Sequence, residues 1–425
     1  METQRAGMVG QVERLRPAAE LRPIPNRRAA RAVERISRLK VAIFIDNFSA
    51  TGVVINAIAI AGRLSSRGCR VQLIASQARG ALIDSVPKGV EVIALLPPTK
   101  GESSRRGRLR RSVFAFQRRL KAFAPDILFS AGNHGHLVSA LVSLRFPNCR
   151  TIVRISNDLD HMIDGKPTRP FSRWLRIAKF RTVAAFADQI VFVSRHLLRS
   201  KSVLGSKAIP KTVVIPNGVD VSSVRERAKE PCDHPWLKDI DSIPLVLAIG
   251  RFAPQKNMLT LIRALAIARR TRPVRLLLIG SGPLKEELQE EAAALGIDDA
   301  VDFVAPVPNP MPFLARASVM ALPSWWEGSS NVLLEALACG TPVVASRTAG
   351  NAEDVLDFGR YGLLVDPADA DGMAVALLSQ AGPDVQLPGD RAFDFCREAA
   401  LEAYADLILG ENVVPARISN VGSPG

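Results

Sequence analysis

Short apolar runs alternate with longer segments of helical periodicity through the first half of the chain. The runs have the length of strands and lie at 41–46, 71–76, 90–95, 126–131, 151–156, 189–194 and 212–218. Helical segments lie between them at 53–66, 105–123, 137–145 and around Trp174 and Phe180. Strands that are apolar on both faces are typical of a parallel sheet with helices on each side. The pattern therefore predicts an α/β domain with a doubly wound parallel sheet.

The same pattern begins again near residue 244, which predicts a second domain of the same class. Its strands are expected at 244–250, 274–280, 301–305, 317–324, 342–346 and 362–366. Its helices are expected at 257–270, 284–295, 331–339, 369–381 and 391–409. The segment 221–244 is acidic and rich in proline, so we interpret it as a linker near the junction.

The chain is thus predicted to have four parts. Residues 1–38 are rich in Arg, Ala and Pro and lack an apolar period, so they are expected to form a flexible basic arm. Two Rossmann-like domains are expected at 39–215 and 216–390. The last part, 391–425, is expected to hold a helix that packs back toward the first domain, followed by a loose tail.

The net charge of +15 is divided unevenly between the two halves. Residues 1–215 contain 38 Lys and Arg against 13 Asp and Glu, whereas residues 216–425 contain 18 against 28. A basic half indicates nucleic acid or anionic lipid as a partner, or simply a solvated basic surface. The predicted helix at 105–123 carries many Arg around Phe114 and Phe116. That pattern favours an anionic membrane surface, with a solvated helix as the alternative.

Cysteine usage and hydropathy exclude several classes of protein. The five cysteines are scattered and form no CxxC pair, which argues against a disulfide framework and against a zinc site. No apolar run reaches 18 residues, so no transmembrane helix is expected. The Arg-rich N-terminus lacks the apolar core of a secretory signal. These features favour a cytoplasmic location.

The candidate chemistry of the second half lies where the predicted strands end. Glu327 follows the strand at 317–324, and Glu335 lies one turn into the helix that begins near residue 331. The N-terminus of this helix offers the backbone amides of Gly328, Ser329, Ser330 and Asn331. Such a place suits an anionic or polyhydroxyl ligand. Two glutamates eight residues apart are common, however, and a solvated Glu335 is the alternative.

Two cations and two glycines follow the neighbouring strands. Arg251 and Lys256 stand just after the strand at 244–250, where a diphosphate would bind, although a structural ion pair of Arg251 is the alternative. Gly280 and Gly282 follow the strand at 274–280 and permit close approach of the backbone to a ligand. Because parallel strands end at one edge of their sheet, these groups are expected to lie near Glu327.

Taken in order, these motifs resemble the nucleotide-sugar domain of retaining GT-B glycosyltransferases of family 4, the group 1 transferases. The match comprises PNGVD at 216–220, GRFAPQKN at 250–257, IGSGP at 279–283 and EGSSNVLLEALACGTPVVAS at 327–346, within about 212–366. The first half resembles the acceptor domain of the same fold more weakly. The resemblance implies an α/β protein with the GT-B fold, in which two Rossmann-like domains face a central cleft.

The resemblance also implies roles for the candidate residues. Arg251 and Lys256 would hold the diphosphate and stabilise the leaving charge, so that neither a metal nor another cofactor is expected. Glu327 would contact the hydroxyl groups of the donor sugar beside the amides of residues 328–331, and Glu335 would bind the ribose. The base would stack near 303–305. The implied donor is a UDP- or GDP-sugar.

The first domain departs from the pattern of the family. Many relatives have two glycines in the first strand–helix loop, where this chain has Ala50-Thr51-Gly52. Many also carry a histidine at the position of Ser156. His134 or His136, after the preceding strand, is a candidate to serve in the cleft instead. The alternative is that these histidines have only a structural role. Asn157 and Asp158 are weaker candidates for contacts with the acceptor.

We expect a cytoplasmic enzyme that lies peripherally at the inner face of the membrane. It would transfer a sugar with retention of configuration to a lipid-linked or glycan acceptor, in the assembly of polysaccharide or lipopolysaccharide. A nucleotide-sugar epimerase of the same fold is an alternative. A nucleic-acid-binding protein is another, but the sequence has no helix-turn-helix, zinc or RNA-recognition signature. A third alternative, that this chain is a catalytically inactive member of the family, is disfavoured because it retains Arg251, Lys256, Glu327 and Glu335.

Overall fold

The computed structural model describes residues 36–97, 105–132, 134–159, 170–200, 203, 211–238, 243–382 and 385–411. Most of the predicted N-terminal arm and the predicted tail after residue 411 lie outside the described residues.

The first domain is built on a seven-stranded sheet in which every pairing is parallel. Its strands are β1 (Lys40–Ile45), β2 (Arg70–Ala75), β3 (Val90–Ala94), β4 (Ile127–Ser130), β5 (Arg150–Ile155), β6 (Gln189–Phe192) and β7 (Thr212–Val214). Its helices are α1 (Gly52–Ser66), α2 (Arg105–Phe123), α3 (His136–Ser143) and α4 (Pro170–Phe186). The strand order is β3-β2-β1-β4-β5-β6-β7, so the direction of winding reverses between β1 and β4.

The second domain repeats this arrangement with six parallel strands in the order β10-β9-β8-β11-β12-β13. They are β8 (Leu245–Ile249), β9 (Arg275–Ile279), β10 (Val301–Val304), β11 (Val319–Leu322), β12 (Val343–Ser346) and β13 (Leu363–Val365). The helices from the crossover onward are α5 (Val221–Ala228), α6 (Pro235–Lys238), α7 (Met258–Arg269), α8 (Lys285–Ala294), α9 (Met311–Arg316), α10 (Asn331–Cys339), α11 (Ala352–Val355), α12 (Ala370–Gln380) and α13 (Arg397–Leu409).

Each sheet has a switch point, where neighbouring strands lead to helices on opposite faces. In the first domain it lies between β1 and β4, and in the second between β8 and β11. In open α/β sheets a ligand binds in the crevice outside the carboxyl ends of the strands at such a point. The loops that follow β1, β4, β8 and β11 are therefore the places where site residues are expected.

The segment 221–244, which we interpreted as a linker, is largely part of the second domain. Asp220 caps helix α5 by accepting a hydrogen bond from the backbone N–H of Ser223 at 2.9 Å. The helix buries Val221 and Val224 in the core of the second domain. The other residues of this helix are mostly polar, so the apolar pair was overlooked in the sequence. Two residues three apart lie on the same face of a helix.

The predicted helix at 391–409 is two elements. A 3₁₀ turn spans Arg391–Phe395 and α13 follows it, with Cys396 between them in an extended conformation. The break is held by a parallel bridge between Cys396 and Val219. Helix α13 then buries Leu401, Tyr404 and Ile408 in the core of the first domain, so the chain crosses between the domains a second time.

Candidate active site

A pocket of about 310 Å³ lies between the two domains and is called the cleft pocket below. The first domain contributes Thr51, Gly52, Val53, Arg154, Ser156 and Asn217, and the second contributes Ile249, Lys256, Glu327, Ser329, Ser330, Asn331 and Val332. On the first-domain side these residues come from the loop after β1 and the start of α1, the end of β5 and the loops after β5 and β7. On the second-domain side they come from the end of β8, the loops after β8 and β11, and the start of α10. Both switch points therefore open onto one cavity.

A second pocket of about 520 Å³ lies within the second domain alone and is called the nucleotide pocket below. It is lined by Ile249, Gly250, Arg251, Ile279, Gly280, Ser281, Gly282, Pro306, Val307 and Pro310. The two pockets share Ile249 at the end of β8. Pro306 and Val307, which directly follow the segment 303–305 where the base is expected to stack, line this pocket.

Lys256 and Glu327 form an ion pair on the second-domain side of the cleft pocket. The loop that carries Lys256 is fixed by Asn257, whose left-handed backbone conformation ends the 3₁₀ turn. The side-chain amide of Asn257 donates to the carbonyl oxygens of Pro323 at 3.0 Å and Pro367 at 2.7 Å. Glu327 is only 8% exposed. The ion pair and the fixed loop thus hold Glu327 in one orientation.

Glu327 is held from two further sides. The hydroxyl of Ser324 donates to its Oε1 at 3.0 Å. Gly350 packs directly against Glu327 with a φ of +62°, so a Cβ at this position would collide with the glutamate and strain the backbone. Gly350 was not among the predicted site residues, although a glycine after a strand of the same sheet is a recognisable signal.

Arg251 stands in the nucleotide pocket on an exposed stretch of the loop after β8. Gly280 lies beside it, and a Cβ there would collide with the carbonyl oxygen of Gly250. Gly282 is equally close to the backbone of Phe252. The loops after β8 and β9 can therefore lie against each other only with glycine at these positions.

The loop at 328–331 contacts the first domain closely. A Cβ at Gly328 would collide with the carbonyl oxygen of Ser156, and the hydroxyl of Ser194 donates to the carbonyl of Gly328 at 2.8 Å. Asn217 donates through Nδ2 to Oδ1 of Asn331 at 2.9 Å. Gly52 faces the same amide, since a Cβ there would lie 3.2 Å from Nδ2 of Asn331. The predicted residues Gly52 and Gly328 to Asn331 thus meet across the cleft.

Glu335 lies on α10 and lines neither pocket. Burial raises the pKa of its carboxyl, and the nearby charge of Arg227 lowers it less. Arg227 itself donates to the carbonyl of Pro308 at 3.4 Å, in the loop that also carries the pocket residues Pro306 and Val307. No hydrogen bond joins Glu335 to another described residue, so its oxygens remain able to accept from a ligand.

The structure does not bring the candidate residues after β4 into the cleft. His136 is 3% exposed, with Nδ1 2.8 Å from the hydroxyl of Ser130 and Nε2 3.0 Å from the carbonyl of Arg154. Burial is the main reason that its pKa is lowered to about 3, so it stays neutral. His134 is exposed and lines neither pocket. Asn157 and Asp158 flank the cleft behind Ser156, outside both pockets.

Among the lining residues of the cleft pocket that were not predicted as site residues, Arg154 and Asn217 bind each other. Arg154 is 1% exposed, and Asn217 is 8% exposed and accepts from Arg154 at 2.7 Å. Asn217 lies within the motif at 216–220 that carried the family resemblance, so a signal for it existed. A signal for Arg154 existed as well, since an arginine inside a predicted buried strand requires a polar or charged partner.

Comparison with known proteins agrees with this geometry. The family model Glycosyltransferase Family 4 matches residues 50–223, and the model Glycosyl transferases group 1 matches residues 243–381. The chain belongs to the family 4 glycosyltransferases. The matched regions correspond to the two domains described above, and the resemblance noted in the motifs is confirmed.

Two curated relatives and one solved structure illustrate the membership of this family 4 chain. The lipopolysaccharide core biosynthesis glycosyltransferase LpsE of Rhizobium meliloti is 37% identical over 173 residues, which cover 39% of this chain and 49% of the relative. The GDP-mannose-dependent alpha-(1-6)-phosphatidylinositol monomannoside mannosyltransferase of Mycolicibacterium smegmatis is 36% identical over 176 residues, covering 38% and 45%. The chain thus spans about half the length of the curated relatives it matches.

The HepE structure of Anabaena, solved in complex with UDP, is 19% identical with a TM-score of 0.68. It covers 88% of this chain and 100% of its own. At this identity the likeness shows the fold, and the GT-B fold predicted from the sequence is confirmed.

Proposed function

We propose that this protein is a retaining glycosyltransferase that transfers a sugar from a nucleotide diphosphate sugar to a lipid-linked or glycan acceptor. The pathway we infer is the assembly of a cell-surface polysaccharide or lipopolysaccharide. The observation that carries the proposal is the buried Lys256–Glu327 pair in the interdomain pocket of a family 4 chain. The matched relatives named for lipopolysaccharide core biosynthesis and for a phosphatidylinositol mannoside support the class of acceptor.

In the proposed reaction the diphosphate lies between the two pockets. Arg251 on one side and Lys256 on the other supply positive charge where the nucleotide leaves. Preorganised charge at a developing anion is a large contribution to catalysis, and here side chains would supply it without a metal. Among the described residues no group of three His, Cys, Asp or Glu is placed to hold a metal ion.

The donor sugar would occupy the cleft pocket. Glu327 accepts hydrogen bonds from sugar hydroxyls once Lys256 moves toward the phosphates, and the N-terminal amides of α10 lie beside it. Glu335 accepts from the ribose hydroxyls. The nucleoside would pack on Pro306 and Val307, and the proposed donor is a UDP- or GDP-sugar, since the matched structures and relatives include one solved with UDP and one named for GDP-mannose.

The first domain would bring the enzyme to the inner face of the membrane. Phe114 on α2 is 78% exposed and Trp174 on α4 is 61% exposed. Exposed cations surround Phe114 on the same helix, at Arg110, Arg111, Arg118 and Lys121. Aromatic residues among cations favour an anionic lipid surface. No helix among the described residues is long and apolar enough to cross a bilayer.

The test is release of nucleotide from a panel of UDP- and GDP-sugars, with and without a membrane lipid extract that contains the acceptor. We expect one nucleotide to be released, faster with the extract. Glu327→Ala should reduce release by about 10²-fold or more, because a contact to the reacting sugar is lost. Proton NMR of the glycosidic product reports whether the anomeric configuration is retained.

Matched controls separate the two halves of the proposal. Glu290→Ala removes an exposed carboxylate from α8, far from both pockets, and should leave release unchanged. Phe114→Ser should weaken the stimulation by the lipid extract and leave release without lipid unchanged. If no donor is hydrolysed or transferred, and Glu327→Ala matches wild type, the proposed site is refuted.

A further inference from the structure

Arg154 is a buried cation in the cleft pocket with only neutral partners among the described residues. Its side chain is 1% exposed. Nε donates to the hydroxyl of Tyr404 on α13 at 2.9 Å, and Nη2 donates to Oδ1 of Asn217 at 2.7 Å. The remaining nitrogen, Nη1, has no hydrogen-bond partner in the part of the chain that the structure describes.

This arrangement is costly for the empty protein. A buried guanidinium normally has a carboxylate partner, because neither a hydroxyl nor an amide neutralises its charge. The ring of Tyr404 lies 5.9 Å from the guanidinium carbon and offers a cation–π contact, which compensates in part. The protein thus holds a charged donor group in place without satisfying it, which is how a preorganised anion site is built.

The other charges of the cleft pocket cancel. Its lining contains three charged side chains, and two of them, Lys256 and Glu327, neutralise each other as an ion pair. The lining therefore carries a net positive charge, which comes from Arg154. A second unsatisfied donor lies in the same pocket, since the buried hydroxyl oxygen of Ser329 also lacks a hydrogen-bond partner among the described residues.

The small side chain of Ser156 leaves room for a ligand above Arg154. Residues two apart on a strand point to the same face, so Ser156 continues the row of Arg154 at the carboxyl end of β5. Both residues line the cleft pocket. A bulkier residue at 156 would stand between the guanidinium and the pocket.

We propose that the cleft pocket selects an acidic sugar, and that Arg154 binds the carboxylate or phosphate ester which that sugar carries. This inference rests on the proposed function and adds the chemical class of the substrate. The anion is additional to the diphosphate, for which Arg251 and Lys256 are the proposed ligands. An arginine forms charge-assisted hydrogen bonds with either anion, and these discriminate strongly against a neutral hydroxyl in its place.

The test is a binding titration that varies only the charge of the sugar. In the donor arm, UDP-glucuronate is compared with UDP-glucose, and GDP-mannuronate with GDP-mannose. In the acceptor arm, glucuronate and glucose 6-phosphate are compared with glucose in the presence of saturating UDP or GDP. We expect the acidic compound of one arm to bind at least about tenfold more tightly, the scale of one charge-assisted hydrogen bond.

Arg154→Gln should abolish this preference, because glutamine keeps a hydrogen-bonding side chain without the charge. Arg150→Gln is the matched control: Arg150 lies on the same strand face, donates to the carbonyl of Leu407 at 3.1 Å and does not line the pocket. It should keep the full preference. Thermal unfolding of both variants checks that each is folded under the conditions of the titration.

The outcomes are separable. A preference in the donor arm that Arg154→Gln removes supports the inference with the charge on the donor, and the same result in the acceptor arm supports it with the charge on the acceptor. Binding of UDP or GDP without any preference for acidic sugars overturns the inference and leaves the proposed function standing. Equal loss of UDP and UDP-sugar affinity in Arg154→Gln also overturns it, since Arg154 would then bind the diphosphate. Failure of every nucleotide to bind would refute both proposals.

Discussion

The two domains share one architecture but contribute different chemistry to the cleft. The second domain presents Lys256, Glu327 and Arg251 on the loops after β8 and β11, with the amides of α10 beside them. The first domain presents a backbone surface at Gly52 and Ser156 and one buried cation, Arg154. Under the proposed function, the second domain supplies the groups that bind the nucleotide-sugar, and the first domain supplies shape and a single charge.

Under the proposed function, this difference assigns the nucleotide diphosphate to the second domain, whose motifs at 250–257, 279–283 and 327–346 follow β8, β9 and β11. The first domain would select the sugar or the acceptor through its shape and through Arg154. Variants on the two walls of the cleft test whether the domains differ in this way.

Lys256→Ala should have the largest effect on turnover. Loss of a preorganised cation at the leaving group is expected to reduce kcat by about 10²–10³-fold. It also leaves Glu327 buried without its cation, which should lower the free energy of unfolding. Steady-state kinetics and thermal unfolding measure the two effects on the same preparation.

A double variant separates catalysis from folding. Lys256→Met with Glu327→Gln removes both charges while keeping similar volumes, so the unfolding free energy should return toward that of wild type. The turnover should stay low. Recovery of turnover in the double variant would show that the pair only stabilises the fold, and the second domain would lose its assigned role.

The sequence was informative where function constrains short segments. Arg251, Lys256, Gly280, Gly282 and Glu327 all lie where the alternation of strands and helices predicted, at the carboxyl ends of β8, β9 and β11. Parallel strands place their loops at one edge, so linear order along the chain translates into proximity. The strand boundaries were correct within two residues, except that β7 ends at Val214, four residues before the end of the predicted run 212–218.

The sequence was less informative where contacts join distant segments. Arg154 bonds Tyr404, which is 250 residues away, and Asn217 bonds Asn331, which is 114 residues away. No periodicity within a segment encodes such pairs. The break at Cys396 is of the same kind, because its partner Val219 lies on the crossover between the domains. These contacts depend on how the two domains and α13 fit together.

Gly328→Ala should have the next largest effect, by disturbing the fit between the domains. The added Cβ would collide with the carbonyl oxygen of Ser156, so the loop at 328–331 must move away from the first domain. We expect about 10–10²-fold loss of kcat/KM, as is usual for a small displacement of catalytic groups. Steady-state kinetics with the donor that the nucleotide-release panel selects measure this loss.

Gly52→Ala is the comparison on the opposite wall. Its Cβ would meet only the flexible amide of Asn331, at 3.2 Å, so the loss should be several-fold smaller. Equal losses in the two variants would mean that the close contact at Gly328 has no special role. The fit between the loop at 328–331 and the first domain would then contribute little to kcat/KM.

The smallest effect concerns the histidine that the first domain keeps away from the cleft. Burial lowers the pKa of His136 to about 3 from 6.5. Between these values the unfolded chain binds a proton that the folded protein does not, so stability is lost as the pH falls. The slope is at most about 1.4 kcal/mol per pH unit for one proton. His136→Gln, which keeps a hydrogen-bonding side chain, should flatten the dependence of unfolding free energy on pH between 6.5 and 4.

Ser139→Ala is the matched control for this last prediction. Ser139 donates to the hydroxyl of Ser130 at 3.0 Å, in the same buried cluster, and its removal leaves the imidazole in place. The variant should be less stable at every pH but keep the slope of wild type. An unchanged slope in His136→Gln would show that His136 does not titrate in this way. A flattened slope with unaltered turnover at pH 7 would instead establish that His136 only joins β4 to β5 and takes no part in the reaction.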